Sequence, residues 1–268
     1  MDDFRRFKET LARIRFVLVS PTHPGNVGAS ARAMQAMGFR QLWLANAEDL
    51  KIAHRADAVA LSSGAAQVLT DAKVVDLSEA LGPATWSCAL SARVREFEPP
   101  RLSLEEASDA ILAHLLSDDQ AQAAFVFGSE RNGLTNDQLL SCRHVCSLDV
   151  DDKFSSLNLS QAVQVVAYAT RRALRERFRQ GQLDLAAMVD DLSRVAGNQR
   201  ETARPADHAA VEGLHAHLVR VAIRIGYLDP EVPGRFEERL KRLLARKEMW
   251  EDEVQMLRGL CTEIERRT

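Results

Sequence analysis

The chain has 268 residues, of which 46% are hydrophobic and 27% are charged, and its formal net charge is −3. This composition supports a substantial buried core and is ordinary for a globular protein. It excludes a polycation that binds nucleic acid through net charge alone, so any such binding must come from a local basic surface.

Short apolar runs alternate with helical patterns through the first two thirds of the chain. Strands are predicted at residues 14–19, 41–45, 73–75, 86–90, 123–127 and 145–148. Helical spacing predicts helices between several of them, notably at 26–37, which Gly38 terminates, and at 104–116. Continuous apolar strands separated by helices predict an α/β fold, with a mainly parallel sheet covered by helices on both faces.

The last third of the chain is predicted to be helical. One long helix covers residues 157–178, and three more follow at 208–225, 233–246 and 251–266. We therefore expect a larger domain at 1–178, a linker at 179–206 and a small helical domain at 207–268. Basic residues concentrate at 171–179 and 239–247. Such clusters indicate either solvated helix faces or a surface that follows phosphates.

The sequence does not favour a secreted protein, a membrane protein or a metal-binding protein. No apolar stretch reaches the roughly 20 residues needed to span a bilayer. The charged residues at the start do not resemble a signal peptide. Cys142 and Cys146 are the only closely spaced cysteines, which is fewer ligands than a zinc site requires. We expect a cytoplasmic protein with buried, reduced thiols, no metal and no membrane attachment.

The first of three polar loops that follow predicted strands covers residues 23–32. Open parallel sheets bind ligands beyond the carboxyl ends of their strands. Gly25 and Gly28 permit tight turns, and Asn26 is predicted to cap the next helix. Arg32 lies among small residues that would let a ligand approach it, although an ordinary surface arginine fits the pattern equally well.

The other two loops carry further glycines and serines. Residues 128–134 place Glu130 and Arg131 between Gly128 and Gly133, which indicates either a ligand loop or a plain turn in which Gly133 adopts a positive φ. Serines in the segment 154–163 precede a helix and either bind a ligand through exposed N–H groups or cap that helix. The fingerprint of dinucleotide-dependent oxidoreductases is absent, which argues against that class.

Taken together and in this order, the loops resemble the motifs of the SPOUT class of RNA methyltransferases. The matching segments are Asn26-x-Gly28-x-x-x-Arg32, Phe127-Gly128-x-Glu130-x-x-Gly133-Leu134 and Ser155-Ser156-Leu157-Asn158-Leu159. Within this class the chain is most similar to the bacterial TrmJ branch of tRNA ribose 2′-O-methyltransferases. The similarity is strong from about residue 14 to 168 and continues more loosely into the helical tail.

The resemblance implies a SPOUT domain at 1–178 whose C-terminal trefoil knot holds S-adenosyl-L-methionine. It also implies a homodimer in which the partner subunit completes each site, and a C-terminal domain that supports tRNA binding or the dimer. The cofactor-binding residues that it implies are Leu90, Ser91, Ala92, Gly128, Leu148, Ser155, Ser156 and Leu157. It implies Arg32 as the catalytic residue, supported by Asn26 and Asn158.

The reaction implied by the resemblance is methyl transfer to the ribose 2′-hydroxyl of tRNA, at cytidine or uridine 32 of the anticodon loop. Because arginine stays protonated in proteins, we expect Arg32 to clamp a phosphate and orient the hydroxyl rather than act as a base. Two alternatives stay open. One is a ribosomal RNA methyltransferase of the same class, and the other is a non-catalytic RNA-binding protein that needs the basic clusters but not the loops.

Overall fold

The computed structural model of the chain describes residues 2–151, 153, 156–179, 204–231, 235–245 and 249–267. The strands in these ranges are β1 (Ile14–Val19), β2 (Gln41–Ala45), β3 (Lys73–Val75), β4 (Trp86–Leu90), β5 (Arg101–Leu102), β6 (Ala123–Phe127) and β7 (His144–Cys146). The helices are α1 (Asp2–Ala12), α2 (Pro24–Met37), α3 (Ala56–Ser62), α4 (Ala66–Thr70), α5 (Leu77–Leu81), α6 (Leu104–Ser117), α7 (Asn136–Leu140), α8 (Leu159–Arg179), α9 (His208–Arg224), α10 (Phe236–Ala245) and α11 (Glu251–Arg267).

The strands form one sheet in the order β3-β2-β1-β6-β4-β7-β5, and all of its pairings are parallel. Successive side chains of a strand point to opposite faces. Phe16 and Leu18 of β1 accordingly join one core cluster, with residues of α2, α6 and α8, whereas Val17 and Val19 join a second cluster with residues of α5 and α7. Helices therefore cover both faces, and the predicted α/β fold is confirmed. The knot implied by the resemblance stays a prediction.

Several element boundaries differ from the predicted ones. The second helix begins at Pro24 rather than at Asn26, because proline is well tolerated in the first helical turn, where no N–H bond is lost. The last sheet strand is His144–Cys146 rather than 145–148. Gly38 terminates α2 with a φ of 85°, as predicted. Helix α1, strand β5 and the short helices α3, α4, α5 and α7 were not predicted, because most of them are too short to show a period.

The start of α9 contacts the sheet domain. The backbone N–H of His208 donates to the Ala84 carbonyl at 3.1 Å. Its ring nitrogen Nε2 lies 2.7 Å from the Ser87 hydroxyl, which also accepts from the Arg143 N–H at 3.0 Å. The C-terminal helices are thus anchored by a buried histidine. The predicted linker lies almost wholly outside the described residues, so the domain boundaries stay a prediction.

This anchor predicts an acid-dependent loss of stability. Burial, followed by the charges of Arg143 and Arg15, lowers the pKa of His208 to about 3. An unfolded histidine takes up a proton below about 6.5, and the folded one does not, so stability falls as the pH drops below that value. The slope contributed by this group is about 1.4 kcal/mol per pH unit at most.

Melting temperatures measured between pH 7.5 and pH 5 check this expectation. His208→Gln keeps a polar group beside Ser87 but does not titrate, so its melting temperature should fall less with acid than that of the parent protein. The exposed His54 supplies the control His54→Gln, which should follow the parent curve. Identical acid dependence in His208→Gln and the parent would contradict the assignment.

Candidate active site

The carboxyl ends of three neighbouring strands, β6, β4 and β7, meet at one edge of the sheet. Strand β4 lies between β6 and β7, and Leu90 is in register with both Phe127 and Cys146. Gly128 and Leu148 follow those two residues closely in sequence, so they lie at the same edge as Leu90. The structure therefore brings together three cofactor residues implied by the resemblance, which come from separate parts of the chain.

Glu130 connects the second polar loop to the first. Its Oε2 accepts from the Thr22 N–H and the Thr22 hydroxyl, both at 3.0 Å. Its Oε1 accepts from the His23 N–H at 3.1 Å and from the Asn26 amide at 3.0 Å. Burial alone would raise the pKa of this carboxyl, but these hydrogen bonds lower it overall. The loop before α2 is thus held around an ionised carboxylate.

The third loop joins the same network through Asn158. Its Nδ2 donates to Asn26 Oδ1 at 3.0 Å, which links two residues 132 positions apart. Its Oδ1 accepts from the N–H and hydroxyl of Ser160 at 2.9 and 2.8 Å. Asn158 therefore caps α8. The residues implied to support catalysis, Asn26 and Asn158, do meet in the structure.

Two capping predictions are corrected by this network. Asn26 lies inside α2 and donates to Glu130, so it does not cap that helix. Ser156 is exposed and stands three residues before α8, whose first N–H groups Asn158 satisfies instead. Ser155 lies outside the described residues. Leu157, the next residue implied to bind the cofactor, is half-buried.

The loop after β6 is folded tightly back on itself. Ser129 and Gly133 exchange backbone hydrogen bonds of 3.2 and 2.9 Å. A Cβ atom on Gly128 would lie 2.1 Å from the Gly133 carbonyl carbon and 2.4 Å from the Leu134 nitrogen, so only glycine fits there. Gly133 has a φ of 65°, which confirms its predicted positive φ. These contacts leave Glu130 at the tip of the loop.

Arg32 lies on the exposed side of α2. One turn earlier in α2, Gly28 approaches the Ala58 carbonyl so closely that a Cβ would lie 2.0 Å from its oxygen, which seats α2 against α3. Arg32 is exposed, and no hydrogen bond or ion pair engages its guanidinium within the described ranges. Its position follows Asn26 by less than two helical turns. Because Arg32 is exposed, its guanidinium is accessible to an incoming anion.

The segment after β4 is held by arginines that the sequence did not single out. Ser91 donates its N–H to the Cys146 carbonyl at 2.9 Å. Arg101 donates to the carbonyls of Ser91 and Arg93, both at 2.9 Å, and pairs with Glu98 at 2.8 Å. This pairing lowers the pKa of the Glu98 carboxyl. Ala92 is exposed in the same segment. The spacing of these residues in the sequence did not predict the Arg101 contacts.

The four cysteines are free and buried, as predicted. Burial raises the pKa of Cys142 to about 12, so its thiol is unreactive at neutral pH. Across the residues whose positions are given, no cluster of three or more histidine, cysteine or acidic side chains is arranged to hold a metal ion. None of the helices in these ranges has the length and apolar character needed to cross a membrane.

Glu130 is the residue whose loss should loosen the network most directly. Glu130→Gln removes one acceptor oxygen and the negative charge while keeping the shape, so some of the four donors lose their partner. We expect a loss of about 1–2 kcal/mol in the free energy of unfolding, because bonds to charged groups are stronger than neutral ones. Chemical denaturation measures it.

The control is Glu48→Gln, because Glu48 also follows a strand, but it is exposed and its carboxylate accepts no hydrogen bond within the described ranges. It should unfold like the parent protein. Equal stability of Glu130→Gln and the parent would show that the hydrogen bonds to the 22–26 loop contribute nothing to the fold.

Comparison with known proteins gives the same class as the fold and the loops. Residues 13–168 match the model of the SpoU rRNA Methylase family, and residues 209–268 match that of the C-terminal domain of the tRNA methyltransferase TrmJ. The chain therefore belongs to the SpoU methylase family.

Individual relatives specify the branch. The chain is 39% identical to the tRNA (cytidine/uridine/adenosine-2′-O-)-methyltransferase TrmJ of Pseudomonas aeruginosa, over 96% of this chain and 95% of the relative. It is 36% identical to the tRNA (cytidine/uridine-2′-O-)-methyltransferase TrmJ of Cronobacter sakazakii, over 95% and 97%. The crystal structure of TrmJ from Z. mobilis superposes with a TM-score of 0.77 at 26% identity, over 95% of this chain and 100% of that one. The predicted resemblance to the TrmJ branch is confirmed.

Proposed function

We propose that the protein is a methyltransferase that uses S-adenosyl-L-methionine to methylate a ribose 2′-hydroxyl of tRNA. One observation carries the proposal. A hydrogen-bonded chain from Glu130 through Asn26 to Asn158 joins all three motif loops at one sheet edge. Arg32 follows Asn26 by six positions, and its guanidinium has no partner among the described residues. A plain RNA-binding module has no need of such an assembly.

The residues at the sheet edge fit the proposed cofactor. Leu90, Leu148 and Leu157 are half-buried apolar side chains beside polar loop backbone. Such a mixture suits a ligand with a flat adenine ring, a sulfonium and charged amino-acid groups. When bound, the cofactor would supply an electrophilic methyl group. Leu90, Ser91, Ala92, Gly128, Leu148, Ser156 and Leu157 would hold it, together with Ser155 outside the described residues.

Arg32 would position the nucleophile in this scheme. Its guanidinium presents several donors in a fixed fork that matches a phosphate group. Bound to the phosphate next to the target ribose, it would orient the 2′-hydroxyl toward the methyl group, and positioning of this kind can supply much of the rate enhancement. Asn26 and Asn158 would fix the start of α2 and α8 around it.

The names of the relatives support tRNA as the substrate class. They specify cytidine and uridine, and one adds adenosine. We propose cytidine or uridine at anticodon-loop position 32 as the target. The name of the matched family, SpoU rRNA Methylase, refers to ribosomal RNA. Ribosomal RNA is therefore the second candidate substrate.

We also propose a homodimer that works in the cytoplasm, where tRNA is modified. Helix α8 supports a dimer, because it exposes Val165 and Tyr168 on the side away from its buried residues, at 40% and 55% of their surface. A second subunit would cover these side chains and complete each site. Residues 1–178 would form the catalytic domain and 207–268 a helical domain that supports tRNA binding, joined by a linker at 179–206.

One experiment tests the proposal. The full chain is incubated with methyl-labelled cofactor and either total tRNA or ribosomal RNA, and the methylated nucleotide is mapped. We expect label in tRNA, at a 2′-O-methylated pyrimidine of the anticodon loop. Label only in ribosomal RNA would establish the second candidate. If the protein binds RNA but neither transfers the label nor binds the cofactor, the proposal that it is an enzyme is overturned.

A further inference from the structure

Helix α10 contacts the segment that continues from the candidate cofactor residues Ser91 and Ala92. We call residues 93–98 the 93–98 loop. Arg235, directly before α10, pairs with Glu96 at 2.9 Å, and its guanidinium carbon lies 5.4 Å from the centre of the Phe97 ring. Arg242 of α10 lies over the same ring, also at 5.4 Å. One aromatic ring of the loop therefore meets two cations from the C-terminal helices.

The contact between Arg242 and Phe97 is partly buried. Its Nε atom is buried and has no hydrogen-bond partner among the described residues. The ring of Phe97, itself half-buried, is thus a principal neighbour of this guanidinium. Cation–π attraction strengthens as water is removed, so a half-buried pair is worth more than an exposed one.

The same loop is tied to the catalytic region from its other side. Arg95 donates to Asn136 Oδ1 at 2.5 Å and to the Leu134 carbonyl, directly after the glycine loop of β6. Asn136 begins α7, which packs against α10. The 93–98 loop therefore has one attachment to the second motif loop and one to helix α10.

We propose that Phe97, Arg235 and Arg242 are positioning residues through which α10 holds the 93–98 loop and so sets the affinity of the cofactor site. The inference rests on the proposed function, because it takes the adjoining Ser91 and Ala92 as cofactor contacts. A loop that is already held does not have to be ordered when the ligand binds, so less free energy is lost on binding. The C-terminal helices would thereby act on the cofactor even when no RNA is bound.

The test uses the full-length protein without RNA for binding, and with tRNA for kinetics. Calorimetric titration gives the Kd for S-adenosyl-L-methionine, and initial rates give its KM and kcat. Phe97→Leu keeps an apolar side chain of similar size but removes the π face, and we expect it to raise Kd and KM roughly three- to tenfold with kcat unchanged. Phe97→Tyr keeps the π face and should restore both values.

A second variant and a control separate an effect on cofactor binding from a failure of Phe97→Leu to fold. Arg235→Gln combined with Arg242→Gln leaves Phe97 in place and should raise Kd as Phe97→Leu does, so it decides the question even if Phe97→Leu fails to fold. Arg239→Gln changes an exposed arginine of the same helix and should bind cofactor like the parent protein.

The outcomes separate the two proposals. Absence of cofactor binding by the parent protein would overturn the proposed function itself. Binding by the parent with an unchanged Kd in the double arginine variant would overturn the positioning role alone. A fall in kcat with an unchanged cofactor KM would overturn it equally, because the loop would then act on the reaction rather than on binding.

Discussion

Replacing Arg32 by alanine should lower kcat for methyl transfer to tRNA by roughly 100-fold or more, the usual effect of removing a donor that acts on the reacting groups. The guanidinium is exposed and unpaired within the described chain, so the fold has little need of it. Calorimetry should therefore find the Kd for S-adenosyl-L-methionine unchanged. The loss would lie in orienting the ribose, which only the RNA brings.

Arg32→Lys tests the clamp more sharply. Lysine keeps the positive charge but has no planar fork for two parallel bonds to a phosphate. We expect this variant to recover only a small part of the rate. Near-normal methylation by Arg32→Lys would refute the clamp. Arg40→Ala, which removes another exposed arginine just beyond the same helix, should leave kcat close to that of the parent.

Gly128→Ala should lower both the stability of the protein and its affinity for the cofactor. The added methyl group would meet the backbone of residues 133–134 at 2.1–2.6 Å, and backbone cannot rotate aside as a side chain can. The loop must shift as a whole, at a cost of about 1–3 kcal/mol in the free energy of unfolding. The shift would displace Glu130 from the 22–26 loop and alter the edge beside Leu90. Thermal melting and cofactor titration measure the two effects.

A matched glycine supplies the control for this variant. Gly259 lies in α11, and no atom of the described residues comes within 4 Å of an added Cβ. Gly259→Ala should therefore be neutral or slightly stabilising, since alanine favours a helix. A Gly128→Ala protein that melts and binds cofactor like the parent would show that the loop after β6 is not part of the cofactor site.

The sequence was sufficient to find the parallel sheet and the loops at its edge, because apolar strands and glycine-marked turns are local patterns. It placed Asn26, Arg32 and Gly128 in segments that follow predicted strands. The structure confirms that Gly128 directly follows β6, whereas Asn26 and Arg32 lie inside α2. The functional roles of these residues still depend on the experiments above. Local patterns also identified the positive φ of Gly133 and the helix stop at Gly38.

Local sequence patterns could not predict the contacts that assemble the site. Asn26 and Asn158 are separated by 132 residues, and only the packing of α2 against α8 brings them together. Glu130 was recognised at a loop tip, but nothing nearby in sequence identifies its partners. Asn26 was assigned as a cap because asparagine favours that position. Four hydrogen bonds to Glu130 define the turn before α2 instead, one of them from Asn26 itself.

The order of the strands also constrains how the chain folds as it is synthesised. Strand β1 is made first, yet it lies between β2 and β6, and its β6 partners are more than 100 residues downstream. Until residue 127 has left the ribosome, one side of β1 has no hydrogen-bonding neighbour. Pairings of such long range form slowly and leave strand edges exposed to aggregation. A nascent chain arrested before β6 is therefore expected to depend on chaperones for its solubility.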